Sequence, residues 1–193
     1  MLTYHPPLCV AETASVFGEM LLTDMMLKDA DSDELKRDIL CSEIEGVINT
    51  CSRQIMYIAF ERELHEKGAK QRLDSDALSK MWANHENKIY GETITPHEDQ
   101  KYFWARVGHF FFARFYCFAY AFGKLFVLAL YQRYLEDPDS FKPAYKEMLQ
   151  SGGQVPPHLL AEKLDMDISS EEFWQSGFDY MKKRIEELEE LVG

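Results

Sequence analysis

The stretch ELKRDILCSEIEGVINTCSRQIMYIAFERELHEK, residues 34–67, decides the fold class. Leu35, Ile39, Leu40, Ile44, Val47, Ile48, Cys51, Ile55 and Ile58 recur at the three- and four-residue spacing of one helix face, and no proline interrupts them. At 1.5 Å of rise per residue such a helix spans about 50 Å. That is long for a domain of this size and points to a helix that leans on more protein.

Working outward, the acidic residues 29–33 read as a turn, and a first helix is expected from just after Pro6-Pro7 to about Lys28. Val10, Ala14, Phe17 and Leu21 would form its apolar stripe. Downstream, Asp74-Ser75-Asp76 caps a short helix over about 77–88, and residues 91–100 form a loop. Residues 102–135 then read as one central helix, apolar on nearly every face, stopped by Asp137-Pro138-Asp139. Helices over about 141–149 and 158–164 flank Ser151-Gly152-Gly153, and a charged amphipathic helix runs over about 171–192. Neither a strand-like alternation nor an internal repeat is present. The expected fold is all-α, a multi-helix bundle in a single domain over residues 1–193.

Composition bounds the function. With 193 residues, 46% hydrophobic and 13% aromatic, the chain can bury a sizeable core. Its 33 acidic against 21 basic side chains give a net charge of −12, which argues against nucleic acid and anionic membrane as partners. The most apolar region, residues 110–131, is interrupted by Arg114 and Lys124 and is no membrane span. The opening Met1-Leu2-Thr3-Tyr4-His5-Pro6-Pro7 lacks the basic and apolar regions of a secretory signal. Cys9, Cys41, Cys51 and Cys117 lie far apart in helical stretches, as reduced core thiols would. A cytoplasmic protein is expected.

A helical zinc site is the natural search in such a chain, and its nucleus is His-Glu-x-x-His. Three His-Glu pairs occur, His65-Glu66, His85-Glu86 and His97-Glu98, but four residues after each histidine stand Ala69, Ile89 and Lys101. All three pairs read as solvated surface. Glu12 and Glu19 sit seven residues apart, two helical turns, opposite the Val10/Ala14/Phe17/Leu21 stripe. A solvated outer face is the plain reading. However, Val16, Met20, Leu22 and Met26 wrap both sides, and a carboxylate on a helix buried all round needs a metal, a hydrogen bond or a cation. His109, Tyr116 and Tyr120 fall on one stripe if the helix is continuous there. They read either as core aromatics with satisfied polar tips or as groups that polarise a substrate carbonyl or hold an oxyanion.

These segments resemble the zinc metallopeptidases of the M3 family, in particular the oligoendopeptidase F type. The resemblance rests on Val10-Ala11-Glu12-Thr13-Ala14-Ser15-Val16-Phe17-Gly18-Glu19, on Arg53-Gln54 with Phe60-Glu61, and on His109-Phe110 followed by residues 115–123. Leu149, Ser151-Gly152-Gly153 and Phe173-Trp174 follow the same family's C-terminal layout, so the likeness covers essentially the whole chain. It implies a largely helical fold that cleaves short peptides in a closed cavity through zinc-activated water. The zinc there is held by the two histidines of His-Glu-x-x-His and a later glutamate, which maps to Glu12. Glu19 maps to the carboxylate that buttresses the metal. His109, Tyr116 and Tyr120 map to the segment that contacts substrate and stabilises the tetrahedral intermediate.

The chain also departs from that pattern. It begins just before Glu12, so the two histidine ligands and the general base of the motif are missing, whereas a catalytic zinc needs three protein ligands. Arg114 stands where such sequences usually carry a small turn residue or proline, and Phe118 where a hydroxyl is often present. The expectation is a C-terminal portion of such a catalytic domain, incapable of hydrolysis alone, with a complementing N-terminal part or self-association covering its apolar residues. The competing expectations are a stand-alone helical binding protein derived from a peptidase, and a plain structural bundle.

Overall fold

A computed structural model describes residues 6–193, and the reading of residues 1–5 as carrying no signal lies outside the described residues. Among the described residues there is no strand, and the fold is all-α as expected. The helices are α1 (Thr13–Asp29), α2 (Asp33–Val47), α3 (Arg53–Gly68), α4 (Ser75–Tyr90), α5 (His109–Phe112), α6 (Phe118–Glu136), α7 (Pro138–Gln150), α8 (Pro157–Glu162) and α9 (Glu171–Val192). They group into two compact units, one of the described residues up to 48 with 122–193 and one of residues 49–121.

Polar side chains set four of the helix starts. Ser32, Asp74, Asp137 and Ser170 each accept a hydrogen bond from the amide three residues on, satisfying a donor that the first turn leaves free. Pro138 opens α7, where its missing N–H costs nothing.

The long helix of the opening stretch is present but is not α-helical throughout. Between α2 and α3, residues Ile48–Ser52 form a π-helical turn. Such a turn admits an extra residue and rotates everything after it. The apolar face expected to run through Ile55 and Ile58 is therefore displaced: Cys51 is followed five residues later by buried Met56, then by Phe60 and Glu61, while Ile55 is 46% exposed.

In the first unit, α6 is the buried axis. Phe126 through Tyr131 are each no more than 1% exposed, which only a helix covered on every side can achieve. Phe17 of α1 stacks on Tyr145 and Phe141 of α7, with ring centroids 4.5 and 5.6 Å away. α9 packs close enough that a Cβ on Gly177 would lie 3.0 Å from Leu128 Cβ and 3.3 Å from the backbone N of Ala129 and O of Leu125. Gly177→Ala is accordingly expected to destabilise the protein by about 1–3 kcal/mol, because backbone cannot yield as a flexible side chain can. Urea unfolding would measure it, and an unchanged midpoint would show that α9 shifts at no cost.

The second unit packs Met56 and Phe60 of α3 against Met81 and Trp82 of α4, with Phe110 and Cys117 closing the cluster. Cys51 and Cys117 are buried and Cys9 and Cys41 half-buried, and Cys9, Cys41 and Cys117 are free thiols. Among the described residues no helix is long and apolar enough to cross a membrane.

Candidate functional site

The single helix expected over 102–135 is broken. A 3-10 stretch covers Glu98–Arg106, α5 lasts one turn, and a turn over residues 113–117 leads into α6. At the centre of that turn Phe115 has φ +57°, a left-handed conformation that a non-glycine residue adopts at a cost of about 1–2 kcal/mol. Its N–H donates to the Glu61 carboxylate at 2.8 Å. Periodicity misses this break because Phe, Tyr and Ala suit a helix, and what opposes the helix comes from α3, far off in sequence.

The break brings the three predicted residues closer than a continuous helix would. Seven residues of unbroken helix would put His109 and Tyr116 about 10 Å apart along the axis. Instead the Tyr116 ring lies flat on the His109 ring, centroids 5.0 Å apart and planes 11° apart. Tyr120 meets both edge-on, at 5.6 Å from His109 and 5.2 Å from Tyr116. The Tyr120 hydroxyl and His109 Nε2 share a hydrogen bond at 3.3 Å, its direction set by the imidazole tautomer. All three side chains are half-buried, so their polar tips are ordered yet within reach of a ligand. Such a cluster offers O–H and N–H donors on a fixed aromatic wall, the arrangement that stabilises negative charge developing on a carbonyl oxygen.

The start and the burial of α1 differ from expectation, although its carboxylates have the solvated setting of their plain reading. The α-helix begins at Thr13, not after Pro7, because Leu8–Val10 forms a 3-10 turn to which the Thr13 hydroxyl donates at 2.8 Å. The buried stripe is thus Thr13, Phe17 and Met20, while Ala14 is exposed. Nor is α1 buried all round: Leu22, Met25 and Met26 are 56, 60 and 47% exposed. Glu12 and Glu19 are both exposed, so solvation alone accounts for them. Glu12 stands at the N-cap position of α1, and its Oε2 accepts from the Ser15 hydroxyl at 2.8 Å. Glu19 lines a cleft of about 460 Å³ with Thr23, Asp38, Glu43 and Lys124.

Zinc was implied by resemblance, and the described residues do not by themselves fit it. No group of three or more His, Cys, Asp or Glu among them is placed to hold a metal ion. Glu12 can be at most one ligand where a catalytic site needs three.

Sequence reasoning missed several groups. Glu61 is fully buried and has one oxygen without a hydrogen-bond partner. His85 and Glu86 are buried, not solvated, His85 Nε2 lying 2.6 Å from Glu63 and Glu86 accepting from Gln100 at 2.7 Å. The other two His-Glu pairs are exposed, as expected. The π turn is the reason for the miss on α3, since Glu61 lies on the displaced face next to Phe60. Phe111 and Phe112 are 58 and 90% exposed beside buried Phe110.

Comparison with known proteins gives a consistent answer. The sequence profile of Peptidase family M3 matches residues 2–180. Oligoendopeptidase F (plasmid) of Lactococcus lactis subsp. cremoris is 28% identical over 187 residues, covering 96% of this chain and 31% of the relative. Group B oligopeptidase PepB of Streptococcus agalactiae is 31% identical over 184 residues, covering 95% of this chain and 30% of the relative. The crystal structure of oligoendopeptidase-F from Enterococcus faecium superimposes with a TM-score of 0.83 at 26% identity, over 95% of this chain and 36% of that one. The chain thus spans about a third of the length of these relatives.

Proposed function

The chain belongs to Peptidase family M3, and on that footing we propose that it is the C-terminal portion of an oligoendopeptidase F-like zinc peptidase for short peptides, inactive alone. The observation that carries this reading is the His109–Tyr116–Tyr120 cluster, stacked and hydrogen-bonded in a chain otherwise similar to peptidases.

In this reading His109 and Tyr120 receive the peptide carbonyl and stabilise the negative charge that builds on its oxygen as water adds to the carbon, before the tetrahedral intermediate collapses and releases the amine, and Tyr116 holds the imidazole plane. Glu12 is the zinc ligand this chain contributes, with Glu19 as the carboxylate that buttresses the metal. The two histidines and the general base come from polypeptide outside these residues, carrying His-Glu-x-x-His. The exposed Leu22, Met25 and Met26 of α1 support a covering segment of that kind. The free thiols of Cys9, Cys41 and Cys117 support a reducing, cytoplasmic setting.

The test is complementation. The chain is assayed on short fluorogenic peptides with zinc, alone and after co-expression with the N-terminal part of the Lactococcus lactis relative. No turnover is expected alone; turnover is expected with the complementing part, and its abolition by Glu12→Gln. Zinc-dependent turnover by the chain alone would overturn the fragment reading. A folded complex without turnover, or one indifferent to Glu12→Gln, would overturn the assigned roles.

A further inference from the structure

The turn that joins α5 to α6 is held by a group that the proposed reaction does not use. Glu61 of α3 is 0% exposed, and a carboxylate withdrawn from water persists only with compensating partners. One of its oxygens accepts the Phe115 N–H at 2.8 Å, while Oε2 has no hydrogen-bond partner. His65, one helical turn further along α3, brings Nε2 to 3.8 Å from that carboxylate and lays its ring against Phe115 with centroids 5.1 Å apart. We propose that Glu61 is a positioning residue, pinning the Phe115 turn so that Tyr116 stacks on His109 and Tyr120 closes on both. The proposal rests on the reading of that cluster as the part of the chain that meets substrate.

A phenylalanine in the left-handed region is disfavoured and is kept only where its surroundings over-determine it. At this position the surroundings are a charge-assisted hydrogen bond, roughly twice as strong as a neutral one, and an aromatic contact from the same helix. Release of that bond removes the reason for the break. The sequence on both sides is helix-compatible, so the chain between His109 and Tyr120 is then free to regain helical form. His109 and Tyr116 would separate from a 5.0 Å stack to about two turns of helix. The neighbouring Cys117 thiol is pushed up to about 11, by burial first and by the nearby Glu61 carboxylate second.

The experiment reads the cluster directly, on the full chain, by NMR of the imidazole protons. The Tyr116 ring shifts the His109 protons upfield, a signature that lost stability alone does not move. Glu61→Ala is expected to abolish that shift while the Trp82 indole signals of the same unit stay in place. Glu61→Gln, which keeps an oxygen to accept the Phe115 N–H, is expected to retain it. A folded Glu61→Ala chain with unchanged His109 signals would overturn the proposal, as would a folded Glu61→Gln chain that has lost the shift. Should Glu61→Ala fail to fold, Phe115→Gly decides: it removes the ring and the strain but keeps the N–H, so the stack must survive. Loss of the stack there would assign the turn to the Phe115 ring instead. No catalysis enters these readouts, so their failure leaves the peptidase reading standing, and failure of the complementation assay leaves the geometry standing.

Discussion

In the complemented peptidase, Tyr120→Phe is expected to lower kcat by about 10²–10³ and to leave KM nearly unchanged. The Tyr120 hydroxyl lies 3.3 Å from His109 Nε2 while its ring packs edge-on against His109 and Tyr116. Phenylalanine keeps the packing and deletes only the polar tip, so what is lost is an interaction with charge that develops during the reaction. A ground-state peptide carbonyl bears little of that charge, hence the split between kcat and KM. His109→Ala should fall in the same range, and the double variant should be little worse than either single one, because groups that act as a unit are not additive. Steady-state kinetics on one fluorogenic peptide checks all three. A raised KM with unchanged kcat would mean that the cluster only binds substrate, and full additivity would mean that the two residues act separately.

How far the sequence reaches is clearest along α2, α3 and the segment after α4. The all-α class was legible, because apolar spacing and capping residues are local: Asp74 starts a helix where the sequence places one, while Asp137, read only as a stop, also caps the helix that follows. The register beyond Ile48 was not legible, since a π turn adds a residue without leaving a mark in composition. From that one turn follow the exposed Ile55 and the buried Glu61. His109, Tyr116 and Tyr120 were rightly grouped, though for a reason that does not hold. Their offsets assumed an unbroken helix, and they meet because the helix breaks. The break depends on a hydrogen bond between Phe115 and Glu61, residues 54 apart in sequence, which no periodicity can register. Spacing singles out Glu12 and Glu19 but leaves them readable as a solvated helix face, which matches their exposure; their metal roles come from the resemblance alone.

Arg184→Met is expected to destabilise the first unit by about 3–5 kcal/mol, a large share of an ordinary domain's stability. The guanidinium is 9% exposed and is shared among groups from three helices. It bonds Asp24 of α1, donates through Nη1 to Glu187 of α9 at 2.9 Å and through Nε to the Tyr180 hydroxyl at 3.0 Å, and lies 3.3 Å from Glu43 of α2. Tyr131 of α6 donates to Asp24 at 2.6 Å and Tyr180 to Glu43 at 2.9 Å, so the network ties α1, α2, α6 and α9 together. Methionine fills most of the volume but leaves two half-buried carboxylates without the cation they share. That uncompensated charge, more than the lost attraction, sets the size of the effect, and it has a pH signature. Burial already pushes the Glu43 carboxyl above its ordinary value against the pull of Arg184, and losing the cation raises it further. A carboxyl whose folded value is raised contributes stability below its unfolded value and loses it as pH climbs through the folded one. The variant should therefore lie closest to the parent in acid and fall away toward neutral pH. Adding Asp24→Leu and Glu43→Leu to Arg184→Met should recover much of the loss, since a well-packed apolar replacement of a buried ion cluster is often neutral or better. Chemical denaturation of parent, single and triple variants across that pH range measures both effects. A single variant as stable as the parent at neutral pH would mean that water already reaches these carboxylates and screens them.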